Sequence, residues 1–142
     1  MKEKFVNAHM KVAEVYAELS SAKKLKVGCV IIKNDTVIGI GYNGTPSGWD
    51  NNCETVIDTG ELPPELITKP EVIHAEQNAI SKIAKSANSS EDAVMFITHA
   101  PCMECAKSIY QSGIKSVYYR NQYRNNSGIE FLNKCGIEVK RV

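Results

Sequence analysis

Two short groups of potential metal ligands constrain the fold of this chain more than any other feature of its sequence. The first group is His74-Ala75-Glu76, and the second is Pro101-Cys102-Met103-Glu104-Cys105. Each group stands at the start of a predicted helix, and residues 77–100 between them leave room for the rest of one helix and one strand. If the imidazole and the two thiols bind one ion, the two helix starts must converge on it.

The rest of the pattern predicts strands that alternate with helices after an N-terminal helix and a β-hairpin. Apolar residues at helical spacing in residues 5–19 predict the first helix, and two β-branched runs around Asn34-Asp35 predict the hairpin. Residues 43–72 contain scattered Gly and Pro without periodicity and are predicted as a long functional loop. The hairpin strands are predicted over 27–32 and 37–42, the later helices over about 74–87, over 101–113 and from Ser127, and the later strands over 94–98, 116–119 and 137–142.

This order of elements predicts an α/β fold in which helices cover both faces of one sheet. The chain has 142 residues, which suits a single domain spanning 1–142. Ser127, followed three residues later by Glu130, predicts a capping box at the start of the last helix.

Charge and composition narrow the possible partners. Seventeen Lys plus Arg against sixteen Asp plus Glu give a net charge of +1, which argues against general attraction to nucleic acid or membranes and favours a small partner. No apolar run is long enough to cross a membrane, and no apolar segment follows the N-terminal lysines, so a cytoplasmic protein is expected. Five cysteines in such a compartment favour metal binding or redox chemistry over disulfides.

Cysteines three residues apart in a first helical turn lie on nearly one face, where both sulfurs can reach a single ion. With His74 they provide three ligands, and a fourth position stays open for water, as in catalytic zinc sites. Glu76 can then take a proton from that water and pass it to a substrate, provided that His74 lies at or before the first turn of its helix. Taken alone, Cys102 and Cys105 would fit a redox pair or half of a structural zinc site equally well.

The combination of His74, Glu76, Pro101, Cys102 and Cys105 matches the signature of the zinc deaminases. The segments VGCVII, GIGYNGTPSG, HAEQNAI, PCMECAKSIYQSGIKSV and CGIEV closely resemble the deoxycytidylate (dCMP) deaminases, which include phage-encoded enzymes. This resemblance covers most of residues 27–140. It implies a three-layer α/β/α cytidine deaminase-like fold with a five-stranded mixed sheet.

The resemblance also implies a function and a set of site residues. The expected reaction is hydrolysis of dCMP to dUMP and ammonia, which supplies dUMP for thymidylate synthesis, in the cytoplasm of the host if the chain is phage-encoded. His74, Cys102 and Cys105 would bind one Zn²⁺, and Glu76 would carry the proton. The substrate contacts implied in this way are Asn43, Ala75 and Tyr123.

Regulation and assembly are implied by the same resemblance. It predicts a homohexamer that is activated by dCTP, which could bind with Mg²⁺, and inhibited by dTTP. The effector is expected near the loop 42–46. Candidate effector contacts are Lys24, Lys26, Gly44 and Trp49.

Several assignments stay open on the sequence alone. The sequence does not decide which cation binds the substrate phosphate. For each of the four candidates a solvated surface charge is the favoured interpretation: Lys82, Lys85, Arg120 and Arg124. A deaminase of nucleic-acid bases, such as a tRNA adenosine deaminase, is an alternative function that the near-neutral charge disfavours. A non-catalytic zinc-binding module is another alternative, which the presence of Glu76 disfavours. His99 is expected to hold the loop before Pro101 rather than bind metal.

Overall fold

The computed structural model describes residues 1–58, 60 and 63–142. The described residues form four helices and seven strands. The helices are α1 (Glu3–Ala17), α2 (Ala75–Ala84), α3 (Met103–Gln111) and α4 (Ser127–Lys134). The strands are β1 (Gly28–Lys33), β2 (Thr36–Tyr42), β3 (Glu54–Ile57), β4 (Glu65–Thr68), β5 (Val94–His99), β6 (Ser116–Asn121) and β7 (Glu138–Arg141).

Five strands form one mixed sheet in the order β2-β1-β5-β6-β7. β1 is antiparallel to both β2 and β5, whereas β6 is parallel to both β5 and β7. Because Cys29 near the start of β1 pairs with Ile97 near the end of β5, the start of β1 lies beside the carboxyl ends of β5 and β6. This arrangement confirms the predicted α/β fold with a five-stranded mixed sheet.

The two faces of the sheet are covered by different helices. In β1, Val30 and Ile32 pack with residues of α1, while Cys29 and Ile31 pack with residues of α2, α3 and α4. This alternation is the period of two that a strand imposes on its side chains. The layers are therefore α1, the sheet, and the three remaining helices, as predicted.

A second, two-stranded sheet lies in the stretch 43–72 that was predicted as a loop. β3 and β4 pair antiparallel, with Glu54 opposite Thr68 and Ile57 opposite Glu65. Each strand has four residues and is mostly exposed, so neither alternation nor a buried apolar run marks it in the sequence. Residues 59, 61 and 62 of this stretch lie outside the described residues.

The predicted capping box at Ser127 is wrong. The N-cap of α4 is Asn126, and Ser127 is already the first helical residue. The Asn125 side-chain oxygen accepts hydrogen bonds from both the backbone N and the hydroxyl of Ser127, at 3.0 and 2.6 Å. The Ser127 hydroxyl is thus bound to Asn125 and does not cap the helix.

Gly41 in β2 allows the first turn of α2 to lie directly on the sheet. A Cβ atom at this position would overlap the carbonyl oxygen of Ala75 and lie 2.6 Å from the backbone N of Ala79. These obstacles are backbone atoms, so the helix would have to move as a unit. The close approach therefore fixes where α2 begins.

Gly41→Ala is expected to lower the free energy of unfolding by about 1 to 3 kcal/mol, because it overpacks this contact. Urea unfolding of the zinc-loaded protein measures the change. Gly44→Ala is the matched control, since a Cβ there meets nothing within 4 Å, and its stability should stay within about 0.5 kcal/mol of the wild type. Equal stability of the two variants would contradict the close approach of α2 to the sheet.

Candidate active site

His74 lies immediately before the first turn of α2. Its backbone is extended, with φ −73° and ψ 156°, and the helix starts at Ala75. The Gln77 side-chain oxygen accepts a hydrogen bond from the backbone N of His74 at 3.1 Å, which holds this entry to the helix. The condition for His74 and Glu76 to share a pocket is met, and both residues line the same cavity.

The two thiols come from the start of α3. Cys102 is the N-cap residue, with φ −73° and ψ 170°, and Cys105 lies in the first turn. The His74 Nδ1 atom is 3.2 Å from the Cys105 sulfur and 3.7 Å from the Cys102 sulfur. The three potential ligand atoms all lie within 4.8 Å of one another. The two helix starts therefore converge, as the sequence predicts.

This donor set fits Zn²⁺. Typical zinc–sulfur and zinc–nitrogen distances place tetrahedral ligand atoms roughly 3.5 to 3.8 Å apart, close to the separations seen here. Two thiols and an imidazole are donors that zinc prefers, and three of them leave one position open. With two thiolates and a neutral imidazole, the formal charge of the ion and its ligands is about zero, so a nearby proton acceptor is needed.

Glu76 supplies a buried carboxyl group beside these ligands. Its side chain is only 4% exposed, and burial raises its pKa to about 7. A carboxyl group with such a pKa can both accept and release a proton near neutral pH. The Cys105 thiol donates a hydrogen bond to Cys102, and this is the largest cause that lowers the pKa of Cys102 to about 4. Cys102 is therefore ready to act as a thiolate ligand.

His74, Glu76 and Cys102 open into one cavity of about 460 Å³ between the sheet edge and the starts of α2 and α3. The three predicted substrate contacts, Asn43, Ala75 and Tyr123, all line it. The start of α2 at Ala75 offers amide groups that have no carbonyl partner within the helix. Further lining residues come from the chain before β1, from β4, and from the ends of β5 and β6: Ala22, Lys24, Leu25, Val27, Thr68, His99, Ala100, Asn121, Gln122 and Arg124.

Asn43 has a structural task in addition to its place on the cavity wall. Its side-chain oxygen accepts a hydrogen bond from the Val27 backbone N at 2.9 Å, and its amide donates to the Leu25 carbonyl at 2.8 Å. Each of these polar atoms still has capacity for one more hydrogen bond. Asn43 therefore ties the end of β2 to the segment before β1 and can also contact a ligand.

His99 lines the cavity at the end of β5. Its Nδ1 atom is 2.9 Å from the Thr98 hydroxyl, which also accepts a hydrogen bond from the Gly28 backbone N. The metal-ligand group found among the described residues does not include His99. Desolvation lowers the pKa of His99.

Only one of the four candidate effector residues lines the cavity. Lys24 lines the cavity that His74 and Cys102 also line, whereas Lys26, Gly44 and Trp49 are absent from its lining. The Trp49 side chain is 59% exposed. Gly44 forms a β-bridge with Ile73, the residue before His74, through hydrogen bonds of 3.1 and 2.8 Å.

Of the four cations considered for a substrate phosphate, only Arg124 lines the cavity. The Arg120 guanidinium instead pairs with Glu14 at 2.7 Å, and the Lys82 ammonium lies 5.8 Å from the centre of the Tyr42 ring.

Glu54 is a cavity residue that sequence reasoning missed. It is a carboxylate only 4% exposed, and it lies in the aperiodic stretch after Cys53. Burial of a single charged residue in an irregular segment leaves no periodic signal in the sequence.

The sequence matches the family described as the cytidine and deoxycytidylate deaminase zinc-binding region over residues 3–121. The chain belongs to this deaminase family. It is accordingly a zinc-dependent deaminase, a hydrolase. The deoxycytidylate deaminase of Enterobacteria phage T4 is 35% identical to this deaminase, over 94% of this chain and 87% of that one.

A solved structure agrees with this assignment. The dCMP deaminase of cyanophage S-TIM5, in complex with dCMP and dUMP, is 44% identical, with a TM-score of 0.90 over 100% of this chain and 99% of that one. A tRNA:A34 deaminase structure is 20% identical, with a TM-score of 0.64 over 95% of this chain and 91% of that one, and it shows a common fold alone. Within the described part of this deaminase, no helix has the length and apolar character that crossing a membrane requires.

Proposed function

We propose that this deaminase hydrolyses dCMP to dUMP and ammonia within one catalytic domain, residues 1–142. The observation that carries the proposal is the convergence of His74, Cys102 and Cys105 beside a single cavity that the buried carboxyl group of Glu76 also lines. The similarity to the phage enzymes named above, one of them in complex with dCMP and dUMP, supports dCMP as the substrate.

His74, Cys102 and Cys105 would hold the zinc ion, which supplies the Lewis acidity that makes a water molecule acidic enough to react near neutral pH. Glu76 accepts one proton from the attacking water and delivers it to N3 of the cytosine as the water oxygen bonds to C4. Glu76 then moves the second proton of that water to the amino group on C4. The bond from C4 to nitrogen breaks, ammonia leaves, and the N3 proton remains in the uracil product.

The walls of the cavity orient the base and the sugar. The Ala75 backbone N–H at the start of α2 is suited to donate a hydrogen bond to a carbonyl group of the base. The unused hydrogen-bonding capacity of Asn43 suits a sugar hydroxyl, and the Tyr123 ring suits stacking on the base.

Regulation by deoxynucleoside triphosphates is also proposed, with activation by dCTP, which would carry Mg²⁺, and inhibition by dTTP in a homohexamer. The GYNG loop supports this proposal, because Gly44 is hydrogen-bonded to Ile73, the residue directly before His74. A ligand near Lys26, Gly44 and Trp49 could therefore act on the start of α2. The dUMP formed in the cytoplasm would serve thymidylate synthesis.

The function is tested by the loss of ultraviolet absorbance when the zinc-loaded protein is incubated in parallel with dCMP, dCTP, deoxycytidine and an RNA. We expect the fastest loss with dCMP. Preferred turnover of the RNA would identify a nucleic-acid deaminase instead. Turnover of none of the four, with dCTP also added as activator, would overturn the proposal.

The regulatory proposal has a separate test. The rate is measured against dCMP concentration with and without dCTP and Mg²⁺, while light scattering measures the oligomeric state. We expect a sigmoidal curve that becomes hyperbolic with dCTP. A hyperbolic curve that dCTP does not change would remove regulation from the proposal and leave the deamination reaction untouched.

A further inference from the structure

The start of α4 lies directly on the loop that carries Cys102. A Cβ atom on Gly128, the second residue of α4, would overlap the carbonyl oxygen of Pro101 and lie 2.9 Å from the carbonyl oxygen of Cys102. The φ angle of Gly128 is not positive, so its backbone conformation does not require glycine. Because glycine within a helix costs stability relative to alanine, the missing side chain serves the close contact with the loop.

The two carbonyl groups that Gly128 faces lie on either side of the Cys102 Cα atom. The Cys102 carbonyl also accepts the first hydrogen bond of α3, from the backbone N of Ala106 at 2.9 Å. On the other side of the contact, α4 is anchored by Leu132, which is fully buried in one core cluster with Ala106. A larger residue at position 128 would therefore turn the peptide groups around Cys102 and displace its thiol.

Asn121, the last residue of β6, holds the beginning of the same loop. Its side-chain amide donates a hydrogen bond to the Thr98 carbonyl at 2.8 Å, and its backbone carbonyl accepts one from the Ala100 N atom at 2.9 Å. These bonds extend the pairing of β5 with β6 to the residue before Pro101. The loop 99–102 is thus tied to β6 where it begins and lies against α4 where it ends.

Zinc binding is sensitive to the position of this loop. Zinc–ligand distances in proteins vary by only about 0.2 Å around their usual values. The Cys102 sulfur lies 3.7 Å from the His74 Nδ1 atom, and His74 is held separately, at the start of α2. A shift of the loop 99–102 alone would therefore change the separation of two ligand atoms.

We propose that Gly128 and Asn121 are positioning residues for Cys102 and that they increase the affinity of the site for zinc. This inference rests on the ligand set of the proposed function, His74, Cys102 and Cys105. Gly128 lets α4 support the end of the loop, and Asn121 ties its beginning to β6. Since residues 121–128 join β6 to α4, one segment of the chain acts on both ends of the loop.

Gly128→Ala should raise the dissociation constant for zinc by about 10- to 100-fold, the usual cost of disturbing groups that orient a ligand. Competition with a chromogenic chelator of known affinity measures the constant. Gly136→Ala is the matched control, because Gly136 follows α4, has a φ of +79°, and has open space where a Cβ would lie. This control should lower the free energy of unfolding through backbone strain and leave zinc affinity unchanged.

Asn121→Ala is a second variant that introduces no overlap, and it decides the proposal if Gly128→Ala does not fold. Loss of the hydrogen bond to Thr98 should weaken zinc binding by about 2- to 10-fold. Gln122→Ala is its matched control, since the Gln122 side chain instead donates to the Tyr119 hydroxyl at 3.4 Å. Zinc affinity should be unchanged in Gln122→Ala.

Cobalt(II) in place of zinc provides a spectroscopic readout, because its absorption depends on the ligands and on how closely they approach a tetrahedron. The spectrum should change in Gly128→Ala and stay the same in Gly136→Ala. Wild-type zinc affinity in a folded Gly128→Ala or in Asn121→Ala would overturn the role of that residue. Equal weakening in Gly136→Ala would show that loss of stability, not positioning, is the cause. If the wild type does not turn over dCMP while these zinc affinities differ as expected, the proposed function fails and the positioning role stands.

Discussion

A protein in which Glu76 is replaced by glutamine is expected to bind zinc normally and to lose about 10²- to 10⁴-fold in kcat. Glutamine has nearly the same shape, but its amide can neither accept the proton of the attacking water nor deliver it to the base. The Glu76 side chain is only 4% exposed, so bulk water cannot readily take over the role of its carboxyl group. Steady-state kinetics on dCMP, together with zinc content per chain, measure both parts of the expectation.

Glu104→Gln is the matched control for this loss. Glu104 lies in the first turn of α3, next to Cys105 in sequence, but it is exposed and pairs with Lys107 at 3.1 Å. Loss of a surface ion pair should leave kcat within about twofold of the wild type. If Glu76→Gln kept more than roughly a tenth of the wild-type kcat, Glu76 would not be the proton carrier.

The metal site could be predicted from the sequence because its geometry is local. The placement of His74 immediately before α2, and of two cysteines across the first turn of α3, follows from spacing within single helix starts. What joins the two starts is the sheet, and the alternating strands and helices predict that sheet as well.

The walls of the cavity could not be predicted in the same way. Glu54 holds the backbone of Lys24 across 30 positions of sequence, in a stretch whose two short strands are mostly exposed. Arg124 and Arg120 look equivalent in the sequence, yet the Arg120 side chain is engaged by Glu14 of α1. Such long-range pairings depend on tertiary structure and leave no periodic signal.

The start of α4 shows a different limit of prediction from sequence. Ser127 and Glu130 have the spacing of a capping box. The Asn125 side-chain oxygen, however, accepts hydrogen bonds from the backbone N and the hydroxyl of Ser127. Ser, Thr, Asn and Asp side chains compete for the same backbone amides at helix starts. Where several of them follow one another, as in Asn125-Asn126-Ser127, the spacing alone does not decide which one caps the helix.

Cys102→Ser is expected to reduce zinc binding from one ion per chain to a small fraction and to abolish measurable deamination. A serine hydroxyl has nearly the size of the thiol, but it does not ionise near neutral pH and is a poor zinc ligand. Removal of a direct ligand should weaken zinc binding by more than the roughly 10- to 100-fold that loss of an outer hydrogen-bond partner costs. Elemental analysis after dialysis against a weak chelator, together with the rate on dCMP, measures both effects.

Cys135→Ser separates a ligand effect from a general sensitivity to thiol loss. Cys135 is also a partly buried free thiol, but it lies at the end of α4, outside the metal-ligand group found in the described part of the chain. The control should keep one zinc ion per chain and near wild-type activity. Normal zinc content in Cys102→Ser would mean that Cys102 is not a ligand, even though its sulfur lies 3.7 Å from the His74 Nδ1 atom. Since His74 and Cys105 alone would leave two positions open, loss of zinc from Cys102→Ser with retention in Cys135→Ser would establish that the three-ligand set is required.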